Sequence, residues 1–256
     1  MRYRKGDPLV IQSRLVLLLG DIGHALIWMI GLPLSKALYG LRICRPAKRL
    51  PSRAVLVSNH CMPLDPLFHG IAIFPRRTFF TLLEETCEAP VLGTFVRTMG
   101  GIPLPRDQSR LADIRNAVDF ALRTRGFVHF YPEGECFLGN QNIFPFKAGA
   151  FYFAIEAGVP VIPVVSILKR RGTILQAGAT LRAITGNPHF GQEQVSVHVL
   201  EPIQPPTRGP NDRANLVAAI RFARQVQSLM QAEIDRHGGD RSLYRGPMPR
   251  IKGVND

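Results

Sequence analysis

Four short apolar runs recur along this chain, each closed by polar or turn-forming residues. They fall at residues 54–57, 78–83, 127–131 (FVHFY) and 161–168 (VIPVVSIL). Their length and their content of β-branched and aromatic residues read as buried strands. Between them lie helical patterns. One covers residues 90–99 and is closed by Gly100 and Gly101. Another carries Leu111, Ile114, Val118 and Leu122, capped by Asp107 or Ser109 and stopped by Gly126. A third enters at residues 144–151, runs through Glu156 and is closed by Gly158. Strands that alternate with helices make an α/β body, here expected as a mixed central sheet flanked by helices. Pro163 suggests an edge or a bulge for the last of the four runs. Val195, Val197 and Val199 alternate as in a half-buried strand. A final helix, capped by Asn211 or Asp212, shows the stripe Leu216, Ile220, Ala223, Val226, Met230 and Ile234.

The second constraint is residues 15–34, LVLLLGDIGHALIWMIGLPL, long enough to span a bilayer core. Asp21, His24 and Pro33 oppose a clean span, since an Asp at mid-membrane costs about 2.5–3.5 kcal/mol. Gly20, His24, Gly31 and Ser35 share a helical stripe suited to packing on another helix or to facing headgroups. A shorter apolar stretch, residues 37–43, leads into Arg42, Arg45, Lys48, Arg49 and Arg53. The pair reads as an N-terminal membrane-associating helical segment, embedded or monotopic, with a basic collar on the cytoplasmic side. A core helix is the rival reading; a secretory signal would need a small-residue cleavage site, and none stands out.

Charge agrees with a membrane surface. There are 32 Lys and Arg against 19 Asp and Glu, a net +13, and residues 1–53 hold ten Lys or Arg against two Asp, a net +8. These cations flank an apolar segment and do not interleave with exposed aromatics, so anionic lipid is favoured over nucleic acid. Four scattered cysteines, Cys44, Cys61, Cys87 and Cys136, form no C-x-x-C pair. That argues against a zinc site or disulfide framework and for a reducing cytoplasmic setting.

Just past the first run stand Asn59 and His60, with Asp65 between Pro63 and Pro66. The carboxyl end of a buried strand is where α/β folds place their chemistry. His60 can take a proton from a hydroxyl, and Asp65, across a stiffened turn, can orient the imidazole. The bland alternative is a capping Asn, a surface His and a turn Asp. Cys61 offers a thiol beside the histidine, yet neighbouring residues in an extended stretch point to opposite sides. Glu133 and Asp65 could pair as two carboxylates, which the histidine and the lack of further acidic clusters disfavour. His129 reads as a packed core histidine, and His24, His69, His189, His198 and His237 show no metal-ligand spacing.

Four stretches line up in order: NHCMPLD at 59–65, GGIPLPR at 100–106, YPEGE at 131–135 and GVPVIPV at 158–164. The set resembles the glycerolipid acyltransferase family, including the enzymes that acylate 1-acyl-glycerol 3-phosphate and other lysophospholipids. The resemblance covers roughly residues 50–170. It implies His60 as general base and Asp65 as its partner, with Asn59, Arg106, Glu133, Gly134 and Lys147 at the substrate. It implies a fatty acyl group moved from acyl carrier protein or acyl-CoA to a lysophospholipid hydroxyl, with 1-acyl-glycerol 3-phosphate the first acceptor and phosphatidic acid the product. Other acceptors, such as a lyso-ornithine lipid or a recycled lysophospholipid, and a non-catalytic lipid-binding module are the alternatives. No cofactor or metal is expected beyond the thioester co-substrate, and backbone amides after His60 are candidate oxyanion donors. One departure is plain. Many lysophosphatidate enzymes follow Pro-Glu-Gly with Thr-Arg-Ser, where this chain has Glu135, Cys136 and Phe137; Lys147 is the substitute cation on offer. The expected organisation is an anchor at 1–49, an acyltransferase domain at 50–237 and a flexible basic tail at 238–256. The expected location is the cytoplasmic (inner) membrane, with the active site facing the cytoplasm. Cut near Pro51, the chain is expected to leave the membrane and keep a folded core.

Overall fold

The computed structural model describes residues 2–105, 110–170 and 193–250. Among them, seven strands form one sheet: β1 (Arg42–Cys44), β2 (Ala54–Ser58), β3 (Arg77–Leu83), β4 (Gly101–Leu104), β5 (Gly126–Phe130), β6 (Val161–Arg170) and β7 (Glu193–Val199). Their order is β1-β7-β6-β2-β5-β3-β4. All neighbours are parallel except β6 and β7, which makes the sheet mixed, as expected.

The helices are α1 (Arg14–Tyr39), α2 (Asp65–Ile73), α3 (Glu84–Glu88), α4 (Leu92–Thr98), α5 (Leu111–Thr124), α6 (Gly149–Ala157) and α7 (Asp212–Arg236). Alternation along β2 divides the core between two faces. Val55 and Val57 pack with Val118 and Leu122 of α5, Phe151 of α6, and Val226 and Met230 of α7. Ala54 and Leu56 pack with Phe68 and Ile71 of α2 and with Tyr39. Every residue of β2 is buried, and each large apolar side chain so buried contributes about 1.5–3 kcal/mol. This strand, covered on both faces, fixes the site at its end. Asn211 caps α7, its side chain accepting from the Ala214 amide at 2.9 Å.

Pro163 does not mark an edge. It pairs with Val57 in the interior of the sheet. Its carbonyl accepts from Leu200 at 2.9 Å, and Val161 next bonds with Ile203. Residues two apart in a strand present their backbone to the same side. Both contacts therefore lie on that side, where three residues of β6, Val161 to Pro163, face four, Leu200 to Ile203: a bulge, the setting in which a strand tolerates Pro.

The N-terminal 49 residues pack on the body. Tyr3 is fully buried and Leu9 and Val10 join the core. Arg97 donates to the carbonyls of Leu9 at 2.6 Å and Pro8 at 3.0 Å. The expected second apolar helix is absent: Gly40, at φ 56, ends α1, and Arg42–Cys44 form an edge strand beside β7. On α1, the Gly20 stripe faces the body. A Cβ at Gly20 would meet the Thr98 carbonyl oxygen at 2.6 Å, and one at Gly31 would meet Leu67 at 3.2 Å. Asp21 turns inward, pairing with Arg77 at 3.0 Å and with Arg125. Residues 238–250 are likewise placed against the body: Leu138 donates to Gly246, Arg245 to Leu138 and Met248 to Cys136.

Candidate active site

Parallel pairing of β2 with β5, Val57 opposite Phe130, brings two distant segments to one edge of the sheet. Asn59 and His60 leave β2 beside Tyr131, Pro132 and Glu133, which leave β5. Asp65 opens α2, and Pro66, suited to a helix's first turn, follows it. The tight turn between closes through the Asp65 amide on the Met62 carbonyl at 3.1 Å.

His60 Nδ1 lies 2.9 Å from Asp65 Oδ2, and the amides of Cys61 and Met62 donate to that same oxygen at 2.7 and 2.8 Å. Ser166 Oγ stands 3.0 Å from Oδ1. Burial pushes the Asp65 carboxyl up. The His60 hydrogen bond, the neighbouring His69 and His60 and the Met62 amide outweigh it and hold the group below its ordinary range. Asp65 is therefore the anion that orients the ring, which leaves Nε2 for an incoming hydroxyl. The His60 side chain is 19% exposed and Asp65 is sealed, so the pair meets solvent only through the histidine. Tyr131 stacks on the imidazole with ring centroids 4.1 Å apart.

Two residues expected at the substrate, Asn59 and Glu133, bond to backbone. Asn59 is buried, donating to the Ser166 carbonyl at 2.9 Å and accepting from the Ser166 amide at 2.8 Å. Glu133 accepts from the amides of His60 at 2.9 Å and Phe144 at 3.0 Å. Burial pushes its pKa up to about 7, the two amides opposing that shift and Asp65 adding to it. The Cys61 and Met62 amides, expected as oxyanion donors, are committed to Asp65. Gly134 takes φ 82, and a Cβ there would collide with the Lys147 ammonium group. Lys147 is exposed beside the Glu133 loop, and its amide donates to Pro132 at 2.8 Å. Arg106 lies outside the described residues. Glu135 forms an ion pair with Arg250, which offsets its negative charge.

Cys61 is buried, and burial with nearby Asp65 pushes its thiol well above the usual range. That is the wrong direction for a nucleophile. Burial, Asp65 and Glu133 raise Cys136 as well.

The motif reading missed what lies behind the pair. Ser166 Oγ bridges Asp65 and His69 Nε2, the latter at 2.8 Å. Tyr131 Oη stands 3.3 Å from His69 Nδ1, and His129 Nε2 is 2.8 Å from Ser58 Oγ. One signal existed: Ser166 is the sole polar residue in VIPVVSIL.

Known proteins resemble this chain over part of its length. The model of the Acyltransferase family matches residues 43–167. The 1-acyl-sn-glycerol-3-phosphate acyltransferase of Neisseria gonorrhoeae is 33% identical over 126 residues, 49% of this chain and 48% of that protein. The human 1-acyl-sn-glycerol-3-phosphate acyltransferase alpha is 29% identical over 212 residues, 80% of this chain and 70% of that one. The chain thus spans about half the length of the first curated relatives it matches. The crystal structure of the 1-acyl-sn-glycerophosphate acyltransferase of Thermotoga maritima superposes with a TM-score of 0.56 at 15% identity, covering 90% of this chain and 85% of that one, a likeness of fold. Through residues 43–167, with a buried Asp65 orienting His60 at the end of β2, the chain matches the Acyltransferase family model and is similar to these enzymes.

Proposed function

We propose that this protein moves a fatty acyl group from an acyl thioester to the hydroxyl of a lysophospholipid, with 1-acyl-glycerol 3-phosphate as acceptor and phosphatidic acid as product. The observation that carries the reading is the His60–Asp65 pair, closed on one side by three further donors to Asp65 and open on the other at Nε2. As the acceptor oxygen attacks the thioester carbon, His60 Nε2 takes its proton and Asp65 stabilises the imidazolium. The carbon–sulfur bond then breaks, and the departing thiolate takes the proton back from His60. The thioester is already activated, so the enzyme needs to supply only the base, the alignment and donors for the oxyanion. Acyl carrier protein and acyl-CoA both fit as donors.

The acceptor's phosphate is assigned to Arg106 and Lys147, and the Arg250–Glu135 pair offsets the acid that replaces the family's Thr-Arg-Ser. Membrane contact is assigned to α1, an apolar helix long enough to cross a bilayer. Its outer face, including Leu15, Ile22, Leu26 and Met29, is half or more exposed or close to it, while the Gly20 stripe is docked on the body. A helix held along its length by a folded domain lies in the membrane interface. We place it on the cytoplasmic membrane, with His60 on the cytoplasmic side.

The reading is tested by supplying the purified protein in anionic vesicles with both thioester donors and a panel of lysolipids. Lysophosphatidate should be acylated fastest. Preference for a lyso-ornithine lipid or a recycled lysophospholipid would replace the acceptor and keep the reaction. Failure to acylate any lysolipid would leave a lipid-binding module.

A further inference from the structure

We propose that Ser166 and His69 are positioning residues for the base, forming a directed hydrogen-bond line that ends on Asp65 Oδ1, the oxygen opposite the one that holds His60. The catalytic consequence rests on the acyltransferase reading; the line itself does not.

The direction follows from counting protons. Asp65 is an anion and can only accept, so the Ser166 hydroxyl proton points at Oδ1 across 3.0 Å. That leaves the Ser166 oxygen only its lone pairs for His69 Nε2 at 2.8 Å. His69 must therefore carry its proton on Nε2; with that nitrogen bare, the single serine proton could not serve both neighbours. His69 is fully buried, and burial pushes its pKa down to about 4, so the ring is neutral and its Nδ1 is an acceptor. The Tyr131 hydroxyl, 3.3 Å away, supplies the donor. The line runs Tyr131, His69, Ser166, Asp65. His69 Nε2 is itself 4.0 Å from Asp65 Oδ1, too far for a hydrogen bond, and it acts through the serine.

The serine is fixed as firmly as the carboxylate. Asn59 clamps both its backbone amide and its carbonyl, at 2.8 and 2.9 Å. Three donors meet Oδ2 and one meets Oδ1, so the Ser166 bond is the one that holds the second oxygen against a turn of the carboxylate about its own axis. Such a turn would carry Oδ2 away from His60 Nδ1. Losing it would misalign the base without touching the acceptor, lowering kcat and leaving KM alone. Tyr131, which stacks on His60, links the far end of the line back to the ring it orients.

Two measurements test this. Nitrogen-15 spectra of the histidine-labelled protein in detergent micelles near pH 7 should show His69 protonated at Nε2 and bare at Nδ1. The opposite tautomer overturns the line, whatever the activity. In acyl transfer to lysophosphatidate, Ser166→Ala should lower kcat about tenfold or more with KM within about twofold. His69→Gln, whose amide can still donate to Ser166, should retain more kcat than His69→Leu. This second pair decides the matter even if Ser166→Ala folds poorly. Folded variants with wild-type kcat, or equal losses in His69→Gln and His69→Leu, overturn the positioning role. A wild type that acylates no lysolipid overturns the acyltransferase reading, and the tautomer then decides the line alone.

Discussion

Asp65→Asn isolates the charge of the orienting group while keeping its shape. In the structure, Oδ2 accepts from His60 Nδ1 and from the amides of Cys61 and Met62 at 2.7–2.9 Å, and Oδ1 accepts from Ser166. An asparagine that turned its NH₂ toward Oδ2's place would confront three donors with another donor. Its oxygen should therefore stay there and keep the three bonds, now with a neutral acceptor. Charge-assisted bonds are worth about 1.5–3 kcal/mol and neutral ones about 0.5–1.5, so each weakens by about 1 kcal/mol and the three by about 3 kcal/mol together. The amide nitrogen would face Ser166, whose proton loses its acceptor. His60 then keeps its place and loses the anion that stabilises its protonated form. Acyl transfer to lysophosphatidate should fall about 10²–10⁴-fold in kcat, or about 2.7–5.4 kcal/mol. Thermal unfolding in parallel separates this loss from unfolding, since the variant should melt lower and still melt cooperatively. A folded Asp65→Asn enzyme with kcat within tenfold of wild type would refute the orienting role.

Three further outcomes follow from the same geometry. Lys147→Ala should raise KM for lysophosphatidate more than for a phosphate-free lysolipid, because its ammonium lies beside Gly134 at the mouth of the Glu133 loop; equal effects on both would remove it from phosphate recognition. Glu133, raised from an ordinary 4.5 to about 7 by burial, favours the folded state fully below pH 4.5 and loses that contribution as pH climbs through about 7. The unfolding free energy of wild type minus that of Glu133→Gln should accordingly decline over this window, and a flat difference contradicts the assignment. Deleting residues 1–50 should yield an unfolded or insoluble product, because it removes β1, the buried Tyr3 and the carbonyls that Arg97 bonds; a soluble product with cooperative melting would show the N-terminus to be dispensable.

Local pattern revealed five of the seven strands of the sheet and most helices flanking it, because β-branched runs and 3.6-residue spacing report which faces are buried. It did not reveal what buries them. The Gly20 stripe was legible as a packing face, yet its partner, Thr98, lies 78 residues away. Residues 42–44 are too short to show alternation, and only pairing with β7 makes them a strand. Of the two readings offered for Pro163, the edge was wrong and the bulge fits, since the pairing slips by one residue between Leu200 and Ile203, which no local pattern could show. The His60–Asp65 pair was legible because both residues lie on one turn. What Asn59 and Glu133 bond was not legible: a motif marks side chains, while Ser166 and the Phe144 amide, which take up their polar atoms, come from distant strands and loops.

The role proposed for His60 is that of base in a direct acyl transfer. It is tested most directly by the single-site kcat of His60→Ala, with Cys61→Ala beside it, on an acyl thioester and lysophosphatidate in anionic vesicles. The structure predicts a loss of about 10²–10⁴-fold for the histidine variant. It predicts near wild-type turnover for the cysteine variant, whose thiol is buried and held protonated. A His60→Ala enzyme that turns over normally, or a dead Cys61→Ala with an acyl-cysteine trapped on the wild type, would contradict it.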